Sequence, residues 1–271
     1  MWVAVVQMHS TTDVGHNRQR ARQLIQEAAQ HGARLVALPE HFAYLGPNEA
    51  AEPPTAQSLS GPLIQEFQQL AAELKIYLLL GTFPEITAAG CKPYNTAVLL
   101  SPQGERLASY RKIHLFDVTL PGRPSQQESR YVQGGHEVVT VSLAPEAFTL
   151  GLAICYDLRF PELFRVLVAR GAEVIILPAA FMMHTGKDHW EVLLRARAIE
   201  NQVYILAPAQ FGQYGPQREC YGRSLIVDPW GLVVAQAPDG EGVIYARLDR
   251  QRLQQVRMGL PCLEHRRLPL A

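Results

Sequence analysis

The sequence predicts one α/β domain in which helices cover the faces of β-sheets. Strand-like and helix-like segments alternate along most of the 271 residues. The strand-like segments, such as residues 76–80 and 174–177, are apolar at consecutive positions, which is typical of sheets buried on both faces. No repeat, low-complexity tract or linker divides the chain, so a single domain over residues 1–271 is expected.

The elements of the first half are predicted from their apolar patterns and end signals. Strands are predicted at residues 2–7, 34–39, 76–82 and 96–100. A helix over residues 17–30 separates the first two strands, and Gly32 ends it. Ser60 is predicted to cap a second helix, whose apolar face continues to Leu74.

The second half repeats this alternation. Strands are predicted at residues 148–154, 173–178, 203–208, 223–228 and 243–248. Helices are predicted over residues 161–170, where Gly171 follows, and from about residue 188 to 201. Residues 117–136, rich in Pro, Gly and Ser, are predicted to form an ordered functional loop. From Leu253 onward the sequence has little helical periodicity.

The composition excludes several classes of partner. Lys and Arg together number 25, as do Asp and Glu, so no positive surplus exists to neutralise nucleic-acid phosphates. The apolar runs are too short to span a membrane. The chain starts directly with a strand pattern and lacks a basic leader. We therefore expect a cytoplasmic protein that binds neither nucleic acid nor a membrane.

The four cysteines are far apart in the sequence, whereas disulfide frameworks and zinc sites need closer clusters. No group of His, Cys and Asp residues has the spacing of metal ligands, so we expect no metal site and no cofactor. Cys91, Cys220 and Cys262 are interpreted as spare free thiols.

Cys155 is the leading candidate for a reactive residue. It follows the apolar residues 148–154 and precedes Pro161, which fits the first turn of a helix. The dipole of that helix is expected to favour the thiolate. On its own, a cysteine in this context is more often a small buried apolar residue, so the prediction depends on its partners.

Two charged residues supply such partners. Glu40 comes directly after the strand at residues 34–39, and Lys112 follows another strand-like stretch. Each alone is more often an ordinary solvated charge. Strand ends in α/β folds commonly carry active-site groups, so the three segments together predict a site with a carboxylate, an ammonium and a thiol.

The motifs around these residues resemble those of the nitrilase superfamily of carbon–nitrogen hydrolases. Glu40 matches its Pro-Glu element, Lys112 its Tyr-Arg-Lys element and Cys155 its Cys-Tyr-Asp-X-Arg-Phe-Pro-Glu element. The resemblance implies a Glu–Lys–Cys triad, with Glu128 as a second glutamate. It also implies a four-layer α-β-β-α sandwich that forms a homodimer or a higher homo-oligomer, with residues 253–271 as a tail at the subunit interface.

These residue types suit amide hydrolysis through a thioester. The thiol of Cys155 attacks the carbonyl carbon, while Glu40 takes the proton, passes it to the leaving amine and then activates water. Burial is expected to shift the pKa of Glu40 towards the working pH. Lys112 and, by the resemblance, the backbone N–H of Tyr156 stabilise the oxyanion. Glu128 is expected to hold Lys112 or the substrate in position. The alternative is that Glu128 is a loop carboxylate without a role.

Within the superfamily, residues 189–200, 221–231 and 264–267 resemble those of deaminated glutathione amidases. That resemblance implies hydrolysis of a 2-oxo acid amide to 2-oxoglutarate and cysteinylglycine, a metabolite-repair step. The open alternatives are an ω-amidase acting on 2-oxoglutaramate and another aliphatic amide or nitrile hydrolase. A non-catalytic binding protein is disfavoured because no member of the triad is missing.

Further candidates for substrate binding come from loops after strands. The guanidinium of Arg159 suits a substrate carboxylate, although an internal pair with Glu162 or another acid is equally consistent with the sequence. Tyr44, Phe181 and Thr185 are candidates for the pocket lining, with ordinary packing as the alternative.

Overall fold

Two β-sheets lie face to face in the computed structural model, which describes residues 1–47, 53–119, 125–144 and 148–268. The strands in chain order are β1 (Trp2–Gln7), β2 (Leu35–Ala37), β3 (Tyr77–Glu85), β4 (Tyr94–Leu100), β5 (Arg106–Arg111), β6 (Asp117–Val118), β7 (Gln126–Gln127), β8 (Thr140–Leu143), β9 (Phe148–Leu152), β10 (Val174–Ile176), β11 (Tyr204–Ala207), β12 (Phe211–Gly215), β13 (Arg218–Tyr221), β14 (Leu225–Val227), β15 (Val233–Gln236) and β16 (Gly242–Arg247). The α-helices are α1 (Val14–Gln30), α2 (Pro62–Leu74), α3 (Pro161–Ala169), α4 (Met183–Asn201) and α5 (Arg250–Gly259). Short 3-10 turns cover Glu128–Arg130 and Cys155–Arg159.

The two large sheets share one plan. The first has the strand order β16-β1-β2-β3-β4-β5 and the second has the order β15-β14-β11-β10-β9-β8. Strands β1, β2 and β3 are parallel in the first sheet, as are β9, β10 and β11 in the second. Two antiparallel pairings, β3 with β4 and β4 with β5, return β5 to the direction of β2. The carboxyl ends of β2 and β5 therefore lie at the same edge.

Helices cover the outer faces of both sheets. Successive residues of β1 alternate between faces, so Ala4 and Val6 pack with α1 and α2 while Val3 and Val5 enter the core between the sheets. Helices α3 and α4 cover the outer face of the second sheet, where they contact β9, β11 and β14 and their buried residues join the same apolar cluster. This order of helix, sheet, sheet and helix confirms the predicted four-layer sandwich.

The helix ends agree only partly with the predictions. Helix α1 ends before Gly32, whose φ of 83° is left-handed, as the sequence predicted. The prediction that Ser60 caps α2 was wrong, because the N-cap residue is Gly61. The cap is supplied from further back, since the side chain of Gln57 accepts a hydrogen bond from the backbone N–H of Leu63 at 3.0 Å.

The prediction of a tail without helix from Leu253 was also wrong, because α5 includes this residue. Asp249 caps the helix by accepting a hydrogen bond from the N–H of Gln251 at 2.8 Å. Leu253 and Val256 lie one turn apart and are both buried, and Arg250, Arg252 and Arg257 add polar contacts that attach α5 to the body. The end of the predicted tail, residues 269–271, lies outside the described residues.

Two further segments differ from expectation. Helix α4 begins at Met183 rather than near residue 188, because its polar first turns carry no apolar stripe from which to predict them. The predicted loop at 117–136 contains the strand pair β6–β7 and the turn Glu128–Arg130, while residues 120–124 lie outside the described residues. Among the helices described here, none is both long and apolar enough to cross a membrane.

Candidate active site

The structure brings Glu40, Lys112 and Cys155 together at the strand ends from which they were predicted. Glu40 follows β2, Lys112 directly follows β5, and Cys155 follows β9. All three side chains are nearly inaccessible, with exposures of 2%, 2% and 8% respectively. They line one cavity of about 500 Å³ together with Glu128.

The backbone around Glu40 is tightly constrained. An ideal Cβ at Gly81 of β3 would lie 1.9 Å from the carbonyl oxygen of Pro39, the residue before Glu40. Only glycine allows the chain after β2 to approach β3 this closely. The side chain of Gln210 also donates a hydrogen bond to the backbone oxygen of Glu40 at 2.9 Å. Glu40 is therefore placed by packed backbone rather than by a free loop.

Cys155 has an unusual backbone conformation. Its φ of 46° is left-handed, which is uncommon for a residue with a Cβ. Its N–H donates a hydrogen bond to the carbonyl oxygen of Pro178 at 2.9 Å, which holds the turn against the next strand connection. Its thiol lies beside the carboxylate of Glu40 in the same cavity.

The carboxylate of Glu40 accepts hydrogen bonds on both oxygens. Oε1 accepts from Nζ of Lys112 at 3.2 Å and from Nδ2 of Asn95 at 2.9 Å, while Oε2 accepts from the N–H of Ala180 at 2.8 Å. Burial alone raises the pKa of this group, but the charges of Lys112 and His41 and the hydrogen bonds lower it to about 2. The prediction that burial shifts the pKa of Glu40 towards neutral pH was therefore wrong.

The pKa of the Cys155 thiol shifts in the opposite direction from that of Glu40. Burial and the neighbouring charge of Glu40 raise the pKa of Cys155 well above its usual range, and Lys112 only partly opposes them. The predicted thiolate at a helix N-terminus was wrong, because Cys155 begins a 3-10 turn and α3 starts only at Pro161. At neutral pH the proton therefore lies on sulfur and Glu40 is ionised.

Lys112 lies between two carboxylates. Its Nζ donates to Glu128 Oε2 at 2.8 Å and Oε1 at 3.1 Å, as well as to Glu40. Burial lowers the pKa of Lys112, but the two carboxylates outweigh it and raise the pKa well above the usual range. Glu128 also accepts a hydrogen bond from the N–H of Phe116 at 2.7 Å. Lys112 therefore keeps its positive charge, and Glu128 contacts it directly.

Asp157 is a site residue that the sequence reasoning missed. Its fully buried carboxylate accepts hydrogen bonds from Tyr110 Oη at 2.7 Å and the N–H of Ile154 at 2.9 Å, and it contacts Nδ1 of His114 at 2.7 Å. These contacts join the chain on both sides of Lys112 to the turn that carries Cys155. The sequence did contain a signal for Asp157. An acidic residue two positions after the cysteine lies too close to the buried strand for its carboxylate to be solvated.

Asn95 and Ala180 were also missed. Neither residue type is unusual, and nothing in the local sequence distinguishes Asn95 from other polar residues at the start of a strand. Their contacts with Glu40 depend on strand register and on the opposing sheet, so only the three-dimensional structure reveals them.

The cavity walls contain the other predicted residues. Tyr44, Tyr156, Arg159, Phe181 and Thr185 all line it. In the described part of the chain, Arg159 forms no ion pair with Glu162 or with another acid. Its guanidinium instead contacts Nδ1 of His189 at 3.2 Å and lies 5.1 Å from the ring centre of Phe181.

The remaining cysteines occupy three different environments. Cys91 is exposed at the rim of the cavity, Cys220 is buried, and Cys262 is partly exposed. Each is a free thiol. Over the described ranges, no cluster of three or more His, Cys, Asp and Glu residues is arranged to hold a metal ion.

Replacing Lys112 with methionine should destabilise the fold strongly at neutral pH, by about 3–5 kcal/mol, because two carboxylates lose their buried partner. Unpaired buried carboxylates have raised pKa values, so they bind protons as the pH falls and the deficit should shrink under mildly acidic conditions. Urea unfolding of Lys112→Met and the wild type at both pH values measures this difference.

Lys92→Met is the matched control. Lys92 is exposed, and among the described residues it donates a hydrogen bond to the backbone oxygen of Ser129 at 2.7 Å, so its loss should change stability by no more than about 0.5 kcal/mol. A Lys112→Met deficit as small as that of the control, or one that grows on acidification, would contradict the charge arrangement described above.

The chain is similar to known proteins over nearly its whole length. The chain matches the family model for carbon-nitrogen hydrolase over residues 2–258. It is 44% identical over 264 residues to a deaminated glutathione amidase of Synechocystis sp., covering 97% of each chain. It is 46% identical over 268 residues to the mouse deaminated glutathione amidase, covering 98% of this chain and 83% of the mouse protein. It is 37% identical over 269 residues to a human omega-amidase, covering 99% and 95% of the two chains.

Among solved structures, the Caenorhabditis elegans NitFhit protein superposes with a TM-score of 0.89 at 37% identity. The match covers 99% of this chain and 66% of that one, so this chain spans about two thirds of the NitFhit protein. The family match over nearly the whole length, together with these relatives, shows that the chain belongs to the carbon–nitrogen hydrolases of the nitrilase superfamily.

Proposed function

We propose that this protein is a cysteine-dependent amidase that hydrolyses deaminated glutathione to 2-oxoglutarate and cysteinylglycine. The observation that carries the proposal is the thiol of Cys155 beside an ionised Glu40, which accepts a hydrogen bond from the charged side chain of Lys112. The identities of 44% and 46% to two deaminated glutathione amidases over almost the whole chain support this substrate.

In the acylation step, sulfur attacks the amide carbonyl carbon while the thiol proton passes to Glu40. The raised pKa of Cys155 and the lowered pKa of Glu40 mean that this transfer occurs during attack and not beforehand. The C–N bond then breaks, and Glu40 returns the proton to the leaving nitrogen of cysteinylglycine. A thioester of 2-oxoglutarate stays on Cys155.

In the deacylation step, Glu40 takes a proton from water, and the resulting hydroxide attacks the thioester carbonyl carbon. The C–S bond breaks, 2-oxoglutarate leaves, and the proton returns to the sulfur of Cys155. Each proton moves between Glu40, sulfur, nitrogen and water. The proposal therefore needs neither a metal ion nor a cofactor.

Negative charge develops on the carbonyl oxygen in both steps. We assign its stabilisation to Nζ of Lys112 and the backbone N–H of Tyr156, whose ring also lines the cavity. Glu128 keeps Lys112 in place through two hydrogen bonds at 2.8 and 3.1 Å. In this role Glu128 is a positioning residue and does not contact the substrate.

The cavity supports a substrate larger than a simple amide. Its volume of about 500 Å³ lies within the range of pockets that enclose drug-sized ligands. Arg159 is the proposed partner of the 2-oxo acid carboxylate, because its guanidinium reaches the cavity and no acid among the described residues occupies it. Tyr44, Phe181 and Thr185 are proposed to complete the binding surface.

The alternative is an ω-amidase that acts on 2-oxoglutaramate. It has the same chemistry, and the 37% identity to a human omega-amidase favours it over other amide or nitrile hydrolases. The two substrates share the 2-oxoglutaryl group and differ only in the leaving amine. A direct comparison of these substrates therefore decides between them.

Release of cysteinylglycine from deaminated glutathione, measured beside ammonia release from 2-oxoglutaramate, tests the proposed function. We expect a higher kcat/KM for deaminated glutathione, and a fall of at least about 10³-fold in Cys155→Ala, which lacks the nucleophile. Cys262→Ala is the matched control and should keep wild-type activity, because this thiol lies outside the cavity.

The reverse preference would identify an ω-amidase with the same mechanism. Turnover that survives in Cys155→Ala would contradict the mechanism itself.

We also propose that the protein is a homodimer in the cytoplasm, with residues 253–271 packing near the subunit interface. An exposed apolar surface supports this, since exposed Ile199 of α4 packs against Gly231, which lies between exposed Trp230 and Leu232. Sedimentation equilibrium should give twice the mass of the 30.2 kDa chain or a higher multiple. A monomer at micromolar concentration would reject the assembly while leaving the chemistry unaffected.

A further inference from the structure

The side-chain amide of Asn95 lies between the two carboxylates of the site. Its Nδ2 donates to Oε1 of Glu40 at 2.9 Å and to Oε1 of Glu128 at 3.3 Å. These are two of the oxygens that Nζ of Lys112 also contacts, at 3.2 and 3.1 Å. The backbone oxygen of Asn95 accepts a hydrogen bond from the N–H of Lys112 at 2.9 Å. Asn95 thus contacts both carboxylates and the lysine that they share.

The other half of this amide is left without a partner. Asn95 is 3% exposed, and its Oδ1 is buried without a hydrogen-bond partner within the described residues. A buried acceptor without a partner costs stability, and an apolar side chain of the same size would avoid that cost. The hydrogen bonds that Nδ2 donates therefore explain why this position holds an asparagine.

The negative charges of the site explain why these donors are needed. Glu40 and Glu128 share one ammonium, so the negative charges of the two carboxylates repel each other across it. An amide supplies two further donors without adding or removing charge. Among the described residues, the titratable groups near these carboxylates are Lys112, Cys155, Cys220 and His41, whose Nε2 lies 3.8 Å from Glu40 Oε1.

We propose that Asn95 is a positioning residue for the reaction. Its two N–H groups hold Glu40 and Glu128 at a fixed separation in their ionised forms. They also occupy Oε1 of Glu40, which fixes the orientation of this carboxylate towards the thiol of Cys155. The inference rests on the proposed role of Glu40 as the base for Cys155, and it adds a residue on which that role depends.

Alkylation of Cys155 by iodoacetamide tests this role without any amide substrate. The rate at Cys155 is followed by mass spectrometry of its peptide, from mildly acidic to mildly alkaline pH. In the wild type it should vary little with pH, because Glu40 stays ionised throughout. In Asn95→Asp a third carboxylate joins the cluster, and the cluster binds a proton. Alkylation on the acidic side should then fall by at least about tenfold relative to the alkaline side.

Asn95→Leu removes both donors at similar volume. Alkylation of Cys155 and kcat for the amide should each fall by about 10- to 100-fold, with a much smaller change in KM, because the lost bonds are to charged groups that act in the reaction. Asn95→Ser keeps one hydroxyl donor and should give an intermediate rate. It also covers the case in which Asn95→Leu fails to fold.

Thr96→Val is the matched control. Thr96 is the next residue of β4, is fully buried, and donates to Oε2 of Glu85 at 2.8 Å outside the catalytic cluster. Its loss should lower stability and leave the pH dependence of Cys155 alkylation unchanged. If the Asn95 variants behave like Thr96→Val, the residue is only structural and the inference is wrong.

The two proposals fail in different ways. Failure of the proposed substrate appears as a wild-type protein without Cys155-dependent release of cysteinylglycine. Failure of the Asn95 inference appears as a wild-type alkylation profile in Asn95→Asp and Asn95→Leu, whichever amide the enzyme hydrolyses.

Discussion

The site depends on one buried ammonium shared by two carboxylates. Nζ of Lys112 lies 2.8 Å from Glu128 and 3.2 Å from Glu40, and all three groups are largely removed from water. Charges in such surroundings are stable only when each is paired and hydrogen-bonded. The same arrangement that makes the cluster tolerable in the fold also keeps Glu40 ionised beside the thiol. Stability and chemistry therefore depend on the same contacts.

The backbone positions of these groups come from the two sheets. Glu40 and Lys112 follow strands of the first sheet, whereas Cys155 follows a strand of the second. Asp157 joins the two halves, because its buried carboxylate binds groups on either side of Lys112 and within the turn that carries Cys155. The left-handed φ of 46° at Cys155 is held by these contacts and by the neighbouring strand connection. The distances between the reacting groups are thus set before any substrate binds.

The alternation of strands and helices predicted an α/β domain, whereas the order of its layers came from the resemblance to the nitrilase superfamily. The positions of Glu40, Lys112 and Cys155 were predicted because apolar strands that end in reactive side chains leave a local signal. Prediction from the sequence failed where the result depends on the balance between opposing physical effects. Burial and charge oppose each other at Glu40, and the positions of Lys112, His41 and the hydrogen-bond donors decide that its pKa is about 2 and not near neutral. It also failed for Asn95, since a contact made through strand register has no local signature. The helical tail was missed because two buried apolar residues give too weak a periodicity.

The central claim is that, in the resting protein, the proton lies on the sulfur of Cys155 while Glu40 is ionised. The S–H stretching band in the infrared spectrum at neutral pH, taken as the difference between wild type and Cys155→Ala, tests it most directly. The other three thiols occur in both proteins and cancel in this difference. The account predicts one S–H band that the variant lacks. A difference spectrum without that band, accompanied by ultraviolet absorbance of a thiolate in the wild type alone, would contradict it.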